Sequence, residues 1–314
     1  MRKRLSSLGH APNPHWIHIG FAKTGSTYLQ RWFDDHPQIA YRPGGIAGQY
    51  NIHDLVSESQ FQSDEFRCRI TSCEQIASPP FQQSDASAGP ELQSYDPEAS
   101  MISCNTTCNL LSDLFPNAHI LVVTRGFRSI IRSSYSEMIR QGAGVLPHEM
   151  LETINQFDIR EIFRFDYIID LYRDRFSNRV LALPYELLLE DRREFLNIIE
   201  TSMGVDQFDI GGELINPSLS ASELYWYPRF ARIIRKCPTG RIRGRLIKLH
   251  RTMIARGFWK PIIRIIEHFV GAREAIFDTS DASLADYTGV SSKLADNPYH
   301  TRFRSEYTIE APAV

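Results

Sequence analysis

The chain has 314 residues, of which 42% are hydrophobic and 23% are charged, so its composition is typical of a globular protein with a substantial core. The formal net charge of −2 argues against nucleic acid as a partner, because nucleic-acid-binding domains usually carry a basic surplus. No stretch reaches the roughly 18 apolar residues of a membrane span, and residues 1–14 lack the apolar segment of a secretory signal, so we expect a cytoplasmic protein.

The first predicted elements are a strand, a tight turn and a helix. The apolar run from Trp16 to Ile19 ends at Gly20 and predicts a buried strand that meets a turn. Apolar residues then recur at helical spacing between Thr27 and Phe33, and Pro37 ends the predicted helix.

Residues 57–100 differ in composition from their surroundings. They are rich in Ser, Gln, Asp and Pro and show only weak periodicity. A structureless loop of this length is uncommon inside a compact domain. We interpret the segment as a lid that covers the binding site on the side of the second substrate (the acceptor), or as a flexible insertion.

Strands and helices alternate in the second third of the chain. This alternation predicts an α/β fold in which helices flank a parallel sheet. The predicted elements are a short strand at 101–103, a helix through 110–115, a strand at 119–124, helices at 127–140 and 163–176, a strand at 180–183 and a helix at 192–203.

Basic residues dominate the chain after residue 223. Residues 224–266 hold twelve Lys or Arg and no Asp or Glu, with apolar residues between them, which predicts basic amphipathic helices. The basic stretch at 229–264 is a solvated helix face, a contact for an anionic polymer such as an acidic polysaccharide, or a contact for a membrane surface. We predict a core at 1–223 and a mostly helical, basic C-terminal extension at 224–314 that packs on it.

The turn after the first strand carries the residues of a phosphate-binding loop. Glycines let several backbone N–H groups point inward, and the N-terminus of the following helix adds partial positive charge. In the triphosphate loop G-x-x-x-x-G-K-[ST], the lysine directly follows the second glycine. Here the glycine spacing is the same, but the lysine lies inside the loop, where its amine can meet the bridging oxygen that departs from a bound phosphate ligand. The predicted donor-binding residues of this loop are Gly20, Lys23, Thr24, Gly25, Ser26 and Thr27.

A second group of polar residues follows the two later strands. Arg125 ends the strand at 119–124 and can grip a phosphate with two hydrogen bonds. Ser133 follows eight residues later, on the helix face turned toward the same pocket. Tyr185 follows the strand at 180–183 and offers a ring on which a base can stack.

The two motifs together resemble those of the PAPS-dependent sulfotransferases, in particular the bacterial, carbohydrate-type members (PAPS is 3′-phosphoadenosine 5′-phosphosulfate). Lys-Thr-Gly-Ser-Thr at 23–27 resembles the 5′-phosphosulfate loop, and Arg125 with Ser133 resembles the 3′-phosphate site. The segment at 216–220, Asn-Pro-Ser-Leu-Ser, resembles one common in the carbohydrate-type members. The resemblance covers residues 15–40 and 100–225. It implies a fold like that of the phosphate-loop proteins and an enzyme that uses PAPS as donor, without a metal, to sulfate a saccharide or another small-molecule acceptor.

The resemblance also implies an in-line displacement at sulfur, in which Lys23 stabilises the leaving phosphate and a base accepts the acceptor proton. His53 is the favoured candidate for the base, with Asp54 and Glu58 as alternatives. Asn105 stands where some relatives have a glutamate, and an amide cannot act as a base. Two other functions remain open, a phosphate-loop nucleotide kinase and a nucleotide-binding module that has lost catalysis.

Overall fold

The structure is a computed structural model. It describes residues 13–43, 65–72, 97–156, 163–211, 218–277, 280, 284 and 288–309. Among these residues, five parallel strands form one sheet in the order β2-β3-β1-β4-β5. The strands are β1 (His15–His18), β2 (Ile39–Pro43), β3 (Cys68–Ser72), β4 (His119–Thr124) and β5 (Val180–Pro184).

The sheet is buried on both faces, which explains the near-continuous apolar runs of its strands. In β4, Ile120 and Val122 face one hydrophobic cluster, whereas Leu121 and Val123 face the other. β2 and β3, which follow β1 in the chain, lie on one side of it in the sheet, whereas β4 and β5 lie on the other side. The carboxyl ends of β1 and β4 therefore flank the switch point of the sheet, where open α/β sheets bind ligands.

Helices cover both faces of the sheet, as the sequence predicts. The strand at 119–124 and the helices at 127–140 and 192–203 are confirmed to the residue, and the helix predicted at 163–176 begins at Phe165. The helices of the sheet region are α1 (Ser26–Asp35), α2 (Pro97–Leu114), α3 (Phe127–Arg140), α4 (Pro147–Gln156), α5 (Phe165–Phe176), α6 (Tyr185–Glu190) and α7 (Arg192–Met203).

The strand predicted at 101–103 is wrong. These residues lie in α2, which begins at Pro97. Proline suits the first turn of a helix because its missing N–H would have no partner there. Cys104, Cys108 and Leu111 recur at helical spacing and are buried against the sheet, which fixes the helix by packing.

The prediction that 57–100 lacks regular structure is also wrong where the structure describes it. Residues 68–72 form β3, which is buried along its whole length and pairs with both β1 and β2. The last residues of the segment belong to α2. A lid formed by the remaining residues stays a prediction, because they lie outside the described ranges.

The basic C-terminal part forms helices, as predicted. They are α8 (Ala221–Arg235), α9 (Gly240–Ala255) and α10 (Trp259–Val270), and α11 (Arg304–Tyr307) is a single turn. Ser220 and Glu223 form a reciprocal capping box that begins α8. Buried side chains from this part share one hydrophobic cluster with the sheet, among them Leu224, Tyr227, Ile254, Ile263 and Tyr307. The domain boundary at 223 stays a prediction. None of the described helices is both long and apolar enough to cross a bilayer.

Four buried histidines should make the fold sensitive to acid. Burial lowers the pKa of His15 and His300 to about 3 and that of His18 and His250 to about 4. The unfolded chain takes up these protons near pH 6.5, whereas the folded chain resists them. Stability is therefore complete above pH 6.5 and is lost as the pH falls toward 4, by up to about 5 kcal/mol per pH unit for the four groups together.

Urea unfolding at pH 7, 6 and 5 measures this dependence. His250→Phe removes one of the four groups and should reduce the slope by about a quarter. A free energy of unfolding that stays constant from pH 7 to pH 5 would contradict the assignment.

Candidate functional site

The phosphate-binding loop lies between β1 and α1, at the carboxyl edge of the sheet. Lys23 and Gly25 both adopt positive φ, at 68° and 85°. A lysine in this region is unusual, because a side chain there costs about 1–2 kcal/mol. The Thr24 hydroxyl is buried and donates to the Phe21 carbonyl at 2.7 Å, so it closes the loop internally.

Both glycines of the loop are required by close neighbours. A Cβ at Gly20 would lie 2.6 Å from Nε2 of His18, and one at Gly25 would lie 2.9 Å from the ring of Tyr185. Such contacts are far shorter than van der Waals separation. The loop is therefore a tight cradle in which only the backbone fits.

The loop leads directly into the N-terminus of α1. Gly25 is the N-cap residue, and its carbonyl accepts from Tyr28 N and Leu29 N. The amides of Ser26 and Thr27, the first two helical residues, have no intrahelical partner by geometry. The Thr27 side chain is exposed whereas that of Ser26 is buried. These amides and the helix dipole favour an oxyanion at this position.

Arg125 joins the second motif to the loop. Its Nη1 donates to the Lys23 carbonyl at 2.6 Å, and its Nε donates to Ser129 Oγ at 2.9 Å. The two motifs, about a hundred residues apart in the chain, are thus in direct contact. Its Nη2 donors have no partner among the described residues and are available to an anion. Burial lowers the pKa of Arg125, and this effect outweighs the opposing influence of Tyr185, Glu186 and Tyr307.

Tyr185 holds the two motifs together. The Arg125 guanidinium lies over its ring, 4.5 Å from the centroid, and the ring edge packs against Gly25. One face of the ring is thereby covered by a cation–π contact. Stacking of an adenine on Tyr185 stays a prediction.

One face of α3 is turned toward both motifs. Ser129, Ser133 and Glu137 are spaced four residues apart and therefore lie on one stripe of the helix. Ser129 contacts Arg125, and Glu137 accepts from Nζ of Lys23 at 2.9 Å. Ser133, between them, is buried on the same stripe. The structure therefore brings Lys23, Arg125 and Ser133 to one place.

Glu137 was not predicted from the sequence as a site residue. Its spacing of four residues from Ser133, on the same face of the predicted helix, could have identified it. The ammonium of Lys23 lowers the pKa of the Glu137 carboxyl by hydrogen bonding and charge, and this outweighs the opposing effect of burial. Both side chains remain partly exposed, at 31% and 40%. An ionised carboxylate thus neutralises the loop lysine in this state.

Glu186 is a second missed residue. Its carboxylate accepts from Gly126 N at 3.0 Å, at the N-terminus of α3, and from the Tyr307 hydroxyl at 2.8 Å. The Tyr307 hydroxyl also lies 2.9 Å from Thr124 Oγ1. The chain's own carboxylate therefore occupies the positive end of α3. A phosphate near this turn depends on the side chains of Arg125 and Ser133 instead.

The base candidates His53, Asp54 and Glu58 lie outside the described residues. Asn105 does not follow a strand as the sequence analysis assumed. It lies within α2, and its amide donates to the Tyr167 hydroxyl at 2.6 Å. Two other histidines, His18 at the end of β1 and His36 at the end of α1, are buried, and their pKa values are lowered by that burial, so both are neutral at pH 7.

The residues present fit a bound phosphosulfate on structural grounds. Because its two glycines carry no side chains, the loop backbone can approach an anion closely. The Arg125 guanidinium and the loop amides offer hydrogen-bond donors at one point. Among the described residues, no cluster of His, Cys, Asp or Glu has the arrangement of a metal site.

Comparison with known proteins gives a family and two solved structures. Residues 16–209, more than half of the chain, match the profile described as "Sulfotransferase family". A sulfotransferase from Alicyclobacillus acidocaldarius is similar over 76% of this chain and 97% of its own, with 15% identity and a TM-score of 0.46. The mouse sulfotransferase SULT7A1, complexed with PAP, is similar over 73% and 68%, with 13% identity and a TM-score of 0.38. No curated protein matches the chain significantly.

Proposed function

The chain belongs to the sulfotransferase family, and on that premise we propose that it transfers a sulfuryl group from PAPS to a hydroxyl or amine of an acceptor. The observation that carries the proposal is the contact between the two motifs, in which Arg125 donates to the carbonyl of Lys23. A mere glycine turn would not need a half-buried arginine from the end of another strand beside its lysine.

The donor site is built from the two loops. The amides of residues 25–27 and Nζ of Lys23 hold the 5′-phosphosulfate, and the free donors of Arg125 hold the 3′-phosphate with Ser133. The stripe on α3 supports this division, because Ser133 lies between the partners of Arg125 and Lys23. Tyr185 contributes by fixing the guanidinium against the loop.

PAPS, when bound, supplies an activated sulfuryl group and leaves as adenosine 3′,5′-bisphosphate. Lys23 has the role of stabilising negative charge on the departing phosphate oxygen. Loss of one such donor typically costs about 10²–10³ in turnover. The Lys23 side chain reaches Glu137 on α3, where its ammonium lies 2.9 Å from the carboxylate.

His53 is proposed as the base that accepts the acceptor proton. A positioned base contributes typically about 10²–10⁴ to turnover. Glu137 has a different role in this proposal. It holds the amine of Lys23 while the donor site is empty and releases it to the donor.

Glu137→Gln separates these two roles. Because the amide cannot hold Lys23 as an ion pair, adenosine 3′,5′-bisphosphate should bind up to about fivefold more tightly, the range of a partly exposed ion pair. Turnover should change by less than about tenfold, since no proton passes through Glu137. Calorimetry and initial rates measure both quantities.

Glu152→Gln, at an exposed position on α4, is the matched control and should change neither quantity. A loss of turnover of a hundredfold or more in Glu137→Gln, without weaker binding, would make Glu137 the base and His53 dispensable.

A saccharide is the proposed acceptor class, supported by the resemblance of residues 216–220 to the carbohydrate-type members. A cytoplasmic location is proposed with it, supported by the free thiols of Cys68, Cys104, Cys108 and Cys237.

Incubation with radiolabelled PAPS and a panel of saccharides tests the function. Labelled product that requires the protein supports it. Binding of adenosine 3′,5′-bisphosphate without transfer to any acceptor would favour the non-catalytic module.

A further inference from the structure

We propose that α9 and α10 form a surface that binds anionic lipid bilayers. The surface is defined by two exposed stripes. On α9 the stripe holds Arg241, Ile242, Arg245, Lys248 and Leu249, and on α10 and its N-cap it holds Phe258, Arg264, Ile265 and Phe269.

The apolar side chains of this surface are far more exposed than core residues. Phe269 is 80% exposed, Ile265 is 60% exposed and Leu249 is 54% exposed. In α10, Phe258, Ile265 and Phe269 recur at intervals of seven and four residues, so they lie on one side of the helix. The opposite side contacts the protein, where Ile263 is buried and Trp259 stacks on Phe230 at 4.5 Å. The helix is therefore anchored by one face and presents an apolar stripe on the other.

The cations beside these apolar residues have no acidic counterpart nearby. Residues 224–266 contain no Asp or Glu. Among the residues that the structure describes, Arg241, Arg245 and Lys248 form no ion pair, and neither does Arg264. Elsewhere in this stretch, the Lys260 ammonium lies 3.8 Å from Glu223, and Arg232 on α8 pairs with Glu149. Positive charge is thus presented to the exterior without neutralisation.

The combination of charge and apolar exposure identifies the partner. A solvated helix face needs no exposed phenylalanine, and an acidic polysaccharide offers anions but no apolar phase. An anionic bilayer offers both, because cations meet the headgroups while apolar side chains enter the acyl boundary. α10 has 12 residues, too few to cross the hydrocarbon core, so the contact lies in the plane of the interface.

Co-sedimentation with vesicles tests the proposal on the full chain. Wild-type protein should bind phosphatidylcholine vesicles that contain roughly one-third phosphatidylserine, and should bind pure phosphatidylcholine at least tenfold more weakly. The Arg241→Gln, Arg245→Gln, Lys248→Gln triple variant should lose about 100-fold in affinity, and higher salt should mimic it. The Ile265→Asp, Phe269→Asp double variant should lose binding by at least as large a factor, because it removes apolar contact area and adds two negative charges that anionic headgroups repel.

Ile102→Asp is the matched control, because Ile102 is 59% exposed on α2, outside this surface. It should bind as wild type does. Thermal unfolding of all variants verifies that they are folded.

Four results would overturn the proposal. One is the absence of binding to vesicles of either composition, and another is equal binding to both. The third is heparin binding that survives in the Ile265→Asp, Phe269→Asp variant while vesicles bind no protein, which would make a polysaccharide the partner. Concentration-dependent dimerisation abolished by that variant, without vesicle binding, would likewise overturn it in favour of a second copy of the chain.

Discussion

Lys23→Ala is expected to lower turnover by about 10²–10³, the usual loss when one donor to a developing negative charge is removed. Binding of adenosine 3′,5′-bisphosphate should weaken by a smaller factor, because the loop amides and Arg125 remain. The amine of Lys23 lies at the junction of the two motifs, 2.9 Å from Glu137, so no other described lysine can replace it there. Initial rates of sulfuryl transfer and calorimetry measure the two effects separately.

Two variants control for effects on folding. Lys293→Ala removes a lysine whose side chain is 76% exposed and which lies outside both motifs and outside the α9–α10 surface, so it should leave turnover unchanged. Lys23→Gly removes the same amine as Lys23→Ala but relieves the positive φ, so it should be about 1 kcal/mol more stable and equally slow. If Lys23→Ala and Lys23→Gly lose binding and turnover by the same factor, this would contradict a role of Lys23 confined to the negative charge of the departing phosphate.

Arg125→Lys is expected to weaken binding of adenosine 3′,5′-bisphosphate by about 10- to 100-fold, the range for hydrogen bonds to a charged group. The substitution keeps the positive charge but loses the planar fork. A lysine cannot at once donate to the Lys23 carbonyl, stack on Tyr185 and face an anion. The affinity for the bisphosphate should therefore fall even though the positive charge is kept.

Arg128→Lys is the matched control, three residues further along at the start of α3. Arg128 donates to the Ser305 carbonyl in α11. Its replacement should leave binding unchanged. If Arg125→Lys binds as wild type does, the 3′-phosphate is held elsewhere and the second motif has another role.

Three of the five strands, β1, β4 and β5, were predictable from sequence because each is a mostly apolar run, whereas β2 was not predicted. Runs such as Ile120–Val123 have no polar interruption, so their periodicity leaves few alternatives. β3 was not found, because Arg69, Thr71 and Ser72 make up most of its five residues and their burial depends on neighbouring strands. Thr71 and Ser72 pair with the side chains of His15 and His18 on β1. A strand with partners of this kind looks polar when it is seen in isolation.

The loop and Arg125 were found because motif spacing constrains them. The contacts that complete the site were not, because they join elements distant in the chain. Glu137 meets Lys23 across 114 residues, and Tyr307 meets Glu186 across 121. Short-range patterns carry no information on such pairs. The misassigned strand at 101–103 has another cause, since the buried residues that follow it, Cys104 and Cys108, are spaced for a helix, which begins at Pro97.

A calorimetric titration with adenosine 3′,5′-bisphosphate, set beside one with ATP and magnesium, tests most directly whether the two motifs form one PAPS-type donor site. The proposed site predicts micromolar binding of the bisphosphate, weaker binding in Arg125→Ala, and no measurable binding of ATP. Preference for ATP with magnesium would contradict it and favour a nucleotide kinase. Absence of binding for both ligands would show that the contact between Arg125 and the loop serves the fold alone.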